Sequence, residues 1–219
     1  MYVGRIVGVG RTLNDENTAI YRVSSRSFPN RSATLDKDNR GVHIASRPGS
    51  EAENATSPYV AYSCLQILEN HVVISNGTQT TPIADRIAKG EDPKQALSAT
   101  LLEMGYEQDD LSTPRIAAVL PRIGSVAWLG IVSEDALLVE CVNLDELGPG
   151  VIRYVSTYEH NSLSPDQLID SRDVSANMLA QSAVDIAGTW SALELPVTAV
   201  AATANTRGEI QLAVADNIY

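Results

Sequence analysis

The run Thr18-Ala19-Ile20-Tyr21-Arg22-Val23-Ser24-Ser25-Arg26-Ser27-Phe28-Pro29-Asn30-Arg31 decides the class of this chain. Its opening part, Thr18 to Ser24, is rich in β-branched and aromatic residues and reads as a strand. Upstream, Val3 to Val9 reads as another, and the polar turn Asn14-Asp15-Glu16-Asn17 joins the two into a hairpin. Gly4, Gly8 and Gly10 superficially spell a dinucleotide loop. No helix follows them and no acidic residue closes a βαβ unit, so they read as strand bulges or a turn. The chain therefore begins strand on strand.

The second part of the run carries chemistry. Tyr21 to Arg31 holds three arginines, three serines and one asparagine in eleven residues. Arginine presents a planar fork of donors that fits phosphate, and serine hydroxyls with loop N–H groups complete such a cradle. The surrounding protein is acidic, with a formal net charge of −11 over 219 residues. That balance excludes the broad basic surface a nucleic-acid partner requires, and it disfavours an anionic membrane. A cationic loop on an anionic protein points to a small anionic ligand. The lysines are only Lys37, Lys89 and Lys94; an acidic, lysine-poor surface fits either a salty cytoplasm or GC-rich coding.

Length and composition fit one domain, 1–219, with a full hydrophobic core. No apolar run is long enough to span a bilayer, and Met1-Tyr2-Val3-Gly4-Arg5 lacks the features of a secretory signal, so a cytoplasmic protein is expected. Cys64 and Cys141 are too few for a disulfide framework or a zinc site, and both read as free core cysteines. His43, His71 and His160 lack metal-ligand spacing, and only His160, beside Glu159, is an acid–base candidate.

Further strands are expected over Val42–Ala45, Tyr59–Leu68, His71–Ser75, Arg115–Leu120, Ala127–Val132, Ala136–Val142, Val151–Ser156, Thr198–Thr203 and Ile210–Ala215. Helices are expected over Thr81–Lys89 and Pro93–Met104, each stopped by glycine, and over Val174–Leu193. Strands follow strands more often than they alternate with helices. This pattern favours an α+β arrangement of mainly antiparallel sheets, with two sheets packed together and helices outside. Polar clusters recur right after apolar strands: Pro58-Tyr59 with Tyr62, Ser75-Asn76-Gly77-Thr78, Ser112-Thr113-Pro114-Arg115 and Thr157-Tyr158-Glu159. Glu107 follows the second helix as a candidate carboxylate.

The opening Met1-Tyr2-Val3-Gly4-Arg5, the run from Tyr21 to Arg31, Pro58-Tyr59-Val60-Ala61-Tyr62, Ser75-Asn76-Gly77, Ile83-Ala84-Asp85, Thr113-Pro114-Arg115-Ile116-Ala117-Ala118 and Ser156-Thr157-Tyr158-Glu159 resemble, in order and spacing, the archaeal-type IMP (inosine monophosphate) cyclohydrolase family. The resemblance covers most of the chain and weakens beyond about Leu163. It implies a four-layer αββα sandwich like that of the N-terminal nucleophile hydrolases. It also implies the last step of de novo purine synthesis: closure of 5-formamidoimidazole-4-carboxamide ribonucleotide to inosine monophosphate, releasing water. Met1-Tyr2 offers no terminal nucleophile, and a dehydration within one substrate molecule needs none. Neither metal nor redox cofactor is required.

The reaction asks for a base, an oxyanion donor, an acid and a phosphate cradle. Under the resemblance, Arg26 and Arg31 are expected on the 5′-phosphate, assisted by Ser24 or Ser27, with Arg22, Asn30 and Tyr62 in the substrate pocket. Tyr59 is expected against the base or the formyl oxygen, Asn76 on the carboxamide or formyl group, Glu107 as general base and Arg115 as an orienting cation. The partner is then the nucleotide, and the size suits a symmetric homo-oligomer. A non-catalytic nucleotide-binding module and an amide hydrolase of the related superfamily are the alternatives.

Overall fold

A computed structural model describes residues 2–50, 59–165, 167–170, 179–181 and 194–216. The opening hairpin forms as expected from β1 (Arg5–Arg11) and β2 (Asn17–Ser24), which pair antiparallel with Val7 opposite Tyr21. Next come β3 (Arg31–Leu35), β4 (Gly41–Ser46), β5 (Tyr62–Ile67) and β6 (His71–Ser75), then the helices α1 (Thr80–Ala88) and α2 (Pro93–Met104). They are followed by β7 (Arg115–Pro121), β8 (Val126–Val132), β9 (Leu137–Asn143), a short 3₁₀ turn (Leu144–Glu146), β10 (Val151–Ser156), β11 (Leu168–Asp170), β12 (Pro196–Ala204) and β13 (Ile210–Asp216). The helix expected over 174–193 lies outside the described residues except for 179–181, which are helical.

Two sheets result. One has six strands in the order β11-β10-β1-β2-β12-β13, the other seven in the order β3-β4-β5-β6-β7-β8-β9. Every recorded strand pair in both is antiparallel. The α+β class and the antiparallel sheets follow the expectation from strand order.

The strands alternate as a pleat requires, so each sheet has two distinct faces. Val7, Val9, Ala19, Tyr21, Val23 and Val200 of the first sheet meet Ile44, Ile74, Ile116, Ala118 and Leu129 of the second in one buried core. On the far side of the seven-stranded sheet, Val73, Ala117 and Val119 pack under Ile83, Ala84, Leu97 and Leu101 of the two helices. On the far side of the six-stranded sheet, Ile6, Ile20, Ile152 and Ala199 pack with Leu179 and Ala180. Near-continuous apolar strands such as Arg115–Pro121 thus bury both faces. The start of α2 is set by Asp92, whose side chain accepts from the Gln95 N–H, with Pro93 next to it.

Two expectations change. The arginine loop ends earlier than its composition suggests, because Arg31 to Leu35 is an edge strand paired with β4. Its alternation, with Arg31 and Ala33 buried, is masked by polar residues on the outer face. Cys64 is buried, its thiol pushed up by burial, and it donates to the Val42 carbonyl; Cys141, expected in the core, is exposed on edge strand β9.

Candidate active site

The ends of β1, β2, β3, β5, β6, β7 and β10 converge on a cluster of polar side chains that burial should make costly. Arg5, Arg31 and Arg115 are at most 7% exposed, and Glu107 is 1% exposed. Three buried guanidiniums therefore face one buried carboxylate.

Local sequence explains how each arrives. Gly4 takes φ +73°, and a Cβ there would stand 2.2 Å from Thr157 Oγ1 and 2.6 Å from the Tyr158 ring. Only glycine permits both the conformation and the approach. The chain beyond it is pinned by the Arg5 N–H donating to Thr157 Oγ1 (3.1 Å), and Arg5 shares the inward face of β1 with Val7 and Val9. Arg31, the first residue of β3, shares its inward face with Ala33. Its Nε donates to the Phe28 carbonyl at 3.1 Å, closing the arginine loop back on itself. Its Nη1 and Nη2 find no partner among the described residues.

Glu107 sits in the loop after α2, where its N–H donates to the Thr113 carbonyl. Arg115 Nη1 lies 3.4 Å from Oε1, and Arg5 Nη1 lies 3.9 Å from Oε2. Oε2 has no hydrogen-bond partner among the described residues. Burial pushes this carboxyl above the usual range, opposed by Arg5, Arg115 and Arg31 and reinforced by Asp109. Burial likewise pulls the Arg31 guanidinium below its ordinary value, against the pull of Tyr62.

Tyr21 and Tyr62 complete the inner wall, their hydroxyls 2.7 Å apart across the two sheets. Burial raises both above the usual tyrosine value, so both are neutral at neutral pH. Two hydroxyls that share one hydrogen bond have one hydrogen left to donate elsewhere.

At the outer edge, Tyr2 stacks on Tyr158 with ring centroids 5.4 Å apart, and the Arg26 guanidinium lies 3.9 Å from the Tyr2 centroid. These three, with Leu111 and Glu159, line a hollow of about 310 Å³. Tyr158 links it to the cluster: its hydroxyl is 2.8 Å from Thr113 Oγ1, which donates to Asp109.

The arrangement holds unpaired cationic donors, a carboxylate with one free oxygen and a spare hydroxyl hydrogen. It can bind an anion or a developing oxyanion, and it can move a proton. Comparison with known proteins bears on which reaction this serves. The family described as IMP cyclohydrolase-like protein matches residues 2–208. The chain belongs to the IMP cyclohydrolase-like family. It is 37% identical to the IMP cyclohydrolase of Haloquadratum walsbyi over 95% of this chain and 94% of that one. It is 37% identical to the IMP cyclohydrolase of Methanococcus maripaludis over 91% of this chain and 93% of that one. With the IMP cyclohydrolase of Methanosphaera stadtmanae the identity is 42% over 74% of this chain and 76% of the relative.

Within this family member, the residues singled out from sequence separate into groups. Glu107, Arg115, Arg31 and Tyr62 meet in the buried cluster. Arg26 and Ser27 are exposed at the rim, and Asn30 is half-buried in the same loop. Arg26 and Arg31, expected on one anion, thus occupy different depths. Tyr59 is half-buried in the turn before β5, and Tyr62 rather than Tyr59 pairs with Tyr21.

Arg22 is not brought to the site. Tyr21 and Val23 face the inter-sheet core while Ile20 faces the opposite side, so alternation sends Arg22 outward with Ile20. Ser24 follows it by the same alternation. Asn76 is fully buried and largely committed: Oδ1 accepts from the Ile116 N–H (2.9 Å) and from Gln79 Nε2 (2.6 Å), and Nδ2 donates to the Pro114 carbonyl (2.9 Å). These bonds brace β7 and its approach. His160 is exposed, edge-on to Tyr154, and takes no part in the cluster.

Sequence reading gave no role to Arg5, Tyr21, Gln79 or Tyr2, which the structure brings to this cluster and its rim, while Tyr158 belongs to a polar segment it did single out. Arg5 and Tyr21 carried a usable signal, since each is a polar residue on the inward register of an otherwise apolar strand.

Proposed function

We propose that this protein is an IMP cyclohydrolase, closing 5-formamidoimidazole-4-carboxamide ribonucleotide to inosine monophosphate with release of water. The observation that carries the reading is a buried carboxylate, Glu107, whose Oε2 has no hydrogen bond among the described residues, near the buried Arg31 guanidinium, whose Nη1 and Nη2 likewise have none. Unpaired buried charge is expensive, so a site built this way is completed by its ligand.

In this reading Glu107 Oε2 takes a proton from the carboxamide nitrogen as that nitrogen attacks the formyl carbon. The formyl oxygen becomes an oxyanion held by Arg31 and by the spare hydrogen of the Tyr21–Tyr62 pair. The proton on Glu107 passes to that oxygen, giving the carbinolamine. Loss of this hydroxyl, with the proton of the former formamide nitrogen, releases water and leaves the new ring double bond. Both reacting groups sit on one imidazole, so holding them in register supplies much of the rate. Arg5 and Arg115 keep Glu107 in place.

The 5′-phosphate goes to the rim. A dianion keeps part of its hydration more cheaply there than in the core, and Arg26 with the Ser25–Phe28 turn offers donors beside the hollow. The Phe28 N–H already donates to Ser25 Oγ at 2.9 Å, which shapes that turn. The hollow falls at the lower end of the size range for ligand pockets, roughly 300–1,000 Å³.

The same reading extends to the architecture. Two packed sheets with α1 and α2 on one outer face, and Leu179 and Ala180 on the other, suit one four-layer αββα domain of the N-terminal nucleophile hydrolase type over 1–219. Among the described residues no helix is long and apolar enough to cross a membrane. A cytoplasmic homo-oligomer fits the reaction and the size.

The test is direct. Purified protein is incubated with the formamido ribonucleotide, and inosine monophosphate is followed by its ultraviolet absorbance. Product above the spontaneous rate is expected. A bound substrate that does not turn over would instead make the protein a nucleotide-binding module.

A further inference from the structure

Gln79 occupies the residue just before α1, yet its side chain makes no capping bond to the helix. It is fully buried and turns into the active-site cluster instead. Its Oε1 accepts from Arg115 Nη1 at 3.1 Å. Its Nε2 donates to Asn76 Oδ1 at 2.6 Å and to the Ile116 carbonyl at 3.2 Å. The orientation is forced, because a flipped amide would set oxygen against a carbonyl and NH₂ against a guanidinium. Asn76 is in turn locked to the β7 backbone. A continuous chain therefore runs from β7 through Asn76 and Gln79 to Arg115 and Glu107.

The same Arg115 nitrogen that Gln79 holds stands 3.4 Å from Glu107 Oε1. That is longer than the roughly 2.7–2.9 Å of a closed guanidinium–carboxylate bond. Gly77 leaves the space in which the three groups meet: a Cβ there would be 2.7 Å from Gln79 Oε1, 3.0 Å from Glu107 Oε1 and 3.1 Å from Arg115 Nη1.

We propose that Gln79 is a positioning residue that shares Arg115 with Glu107 and so keeps the arginine from closing on the carboxylate. A neutral acceptor divides the donor without adding charge. Glu107 then stays basic enough to take a proton, which a closed ion pair would prevent. The other groups that face Glu107 are Arg5 on β1, Arg31 on β3 and Asp109 in its own loop, while the hydrogen bonds of the Gln79 side chain among the described residues go to Asn76, Ile116 and Arg115. The inference rests on the reading of Glu107 as the base.

Two substitutions should push in opposite directions. In Gln79→Met, Arg115 loses its neutral acceptor and closes on Glu107, so the carboxyl titrates lower. In Gln79→Glu, a second carboxylate competes for Arg115 and repels Glu107, so it titrates higher. The experiment labels glutamate side chains with ¹³C at the carboxyl and assigns Glu107 by its loss in Glu107→Gln. The midpoint is expected to fall by about one pH unit in Gln79→Met and to rise by about as much in Gln79→Glu, the small end of what a charge at this range exerts. The acid limb of kcat/KM should move with it while KM changes little.

A midpoint that stays put in both folded variants overturns the proposal. If the midpoint moves but the acid limb does not, Gln79 tunes Glu107 and the base assignment alone falls. Should Gln79→Met fail to fold, Gln79→Asn keeps a polar side chain but stops short of Arg115, and its midpoint must also fall.

Discussion

Replacing Arg31 by methionine should make the free protein more stable and the enzyme much worse. The side chain is fully buried, and among the described residues only its Nε makes a hydrogen bond, to the Phe28 carbonyl. Losing that charge-assisted bond costs about 1.5–3 kcal/mol. Against it stands the removal of a desolvated cation whose two Nη groups have no partner among the described residues and which is repelled by Arg5. Apolar replacement of buried ionic groups is commonly neutral or stabilising by roughly 1–4 kcal/mol, and here there is no closed pair to lose. A net gain of about 1–2 kcal/mol is expected, or a rise in Tm of roughly 2–8 °C for a chain of this size. In the proposed reaction Arg31 holds the formyl oxygen, which leaves as water, so its loss falls on turnover of the formamido ribonucleotide rather than on binding of inosine monophosphate. The kcat/KM of the variant should fall by roughly 100-fold, the worth of two charge-assisted bonds to the developing oxyanion at about 1.5 kcal/mol each. Calorimetry reads the stability and the ultraviolet absorbance of the product reads the rate. A variant that melts several degrees lower yet turns the substrate over as well as before would refute the reasoning, because Arg31 would then be a structural cation.

Glu107 sets the pH dependence. Its folded value lies above the ordinary carboxylate value, so the acid limb of kcat/KM should also lie above that range, and Glu107→Gln should lose about 10²–10⁴-fold in kcat. The native state holds this proton more tightly than the unfolded chain. Its contribution to stability is therefore present below the ordinary value and lost as pH rises through the folded one. Denaturant melts of native and Glu107→Gln protein across that window should diverge as pH rises, with the variant more stable. Gly77→Ala drives a methyl into Gln79, Glu107 and Arg115, and should lower kcat by about 100-fold while costing about 1–3 kcal/mol; paired kinetics and melts separate the two. Arg22→Met is the control for the arginine run. It should lower Tm by disturbing the buried outer face of the six-stranded sheet, by roughly 1–3 kcal/mol, and leave KM within about twofold.

The chain by itself determined the class of the fold. Strand following strand, with polar turns such as Asn14–Asn17 between them, can only fold back antiparallel, and that information is local. It also marked Arg31, Tyr62 and Arg115 as polar residues beside apolar strands and Glu107 as a carboxylate after the second helix. What it could not decide was depth and facing. Arg22, Arg26 and Arg31 look alike in the run from Tyr21 to Arg31. One is turned to the outer face by the pleat of β2, one lies on Tyr2 in solvent, and one is carried inward because the loop ends in an edge strand. Asn76 and Gln79 differ in the same way from their apparent roles: an amide shows its function only through the partners that spend its donors and acceptors. Those partners come from β7, some forty residues downstream of Asn76. Pairing of distant strands, rather than local propensity, determines which charges meet where water is excluded, and that meeting is what shifts Glu107.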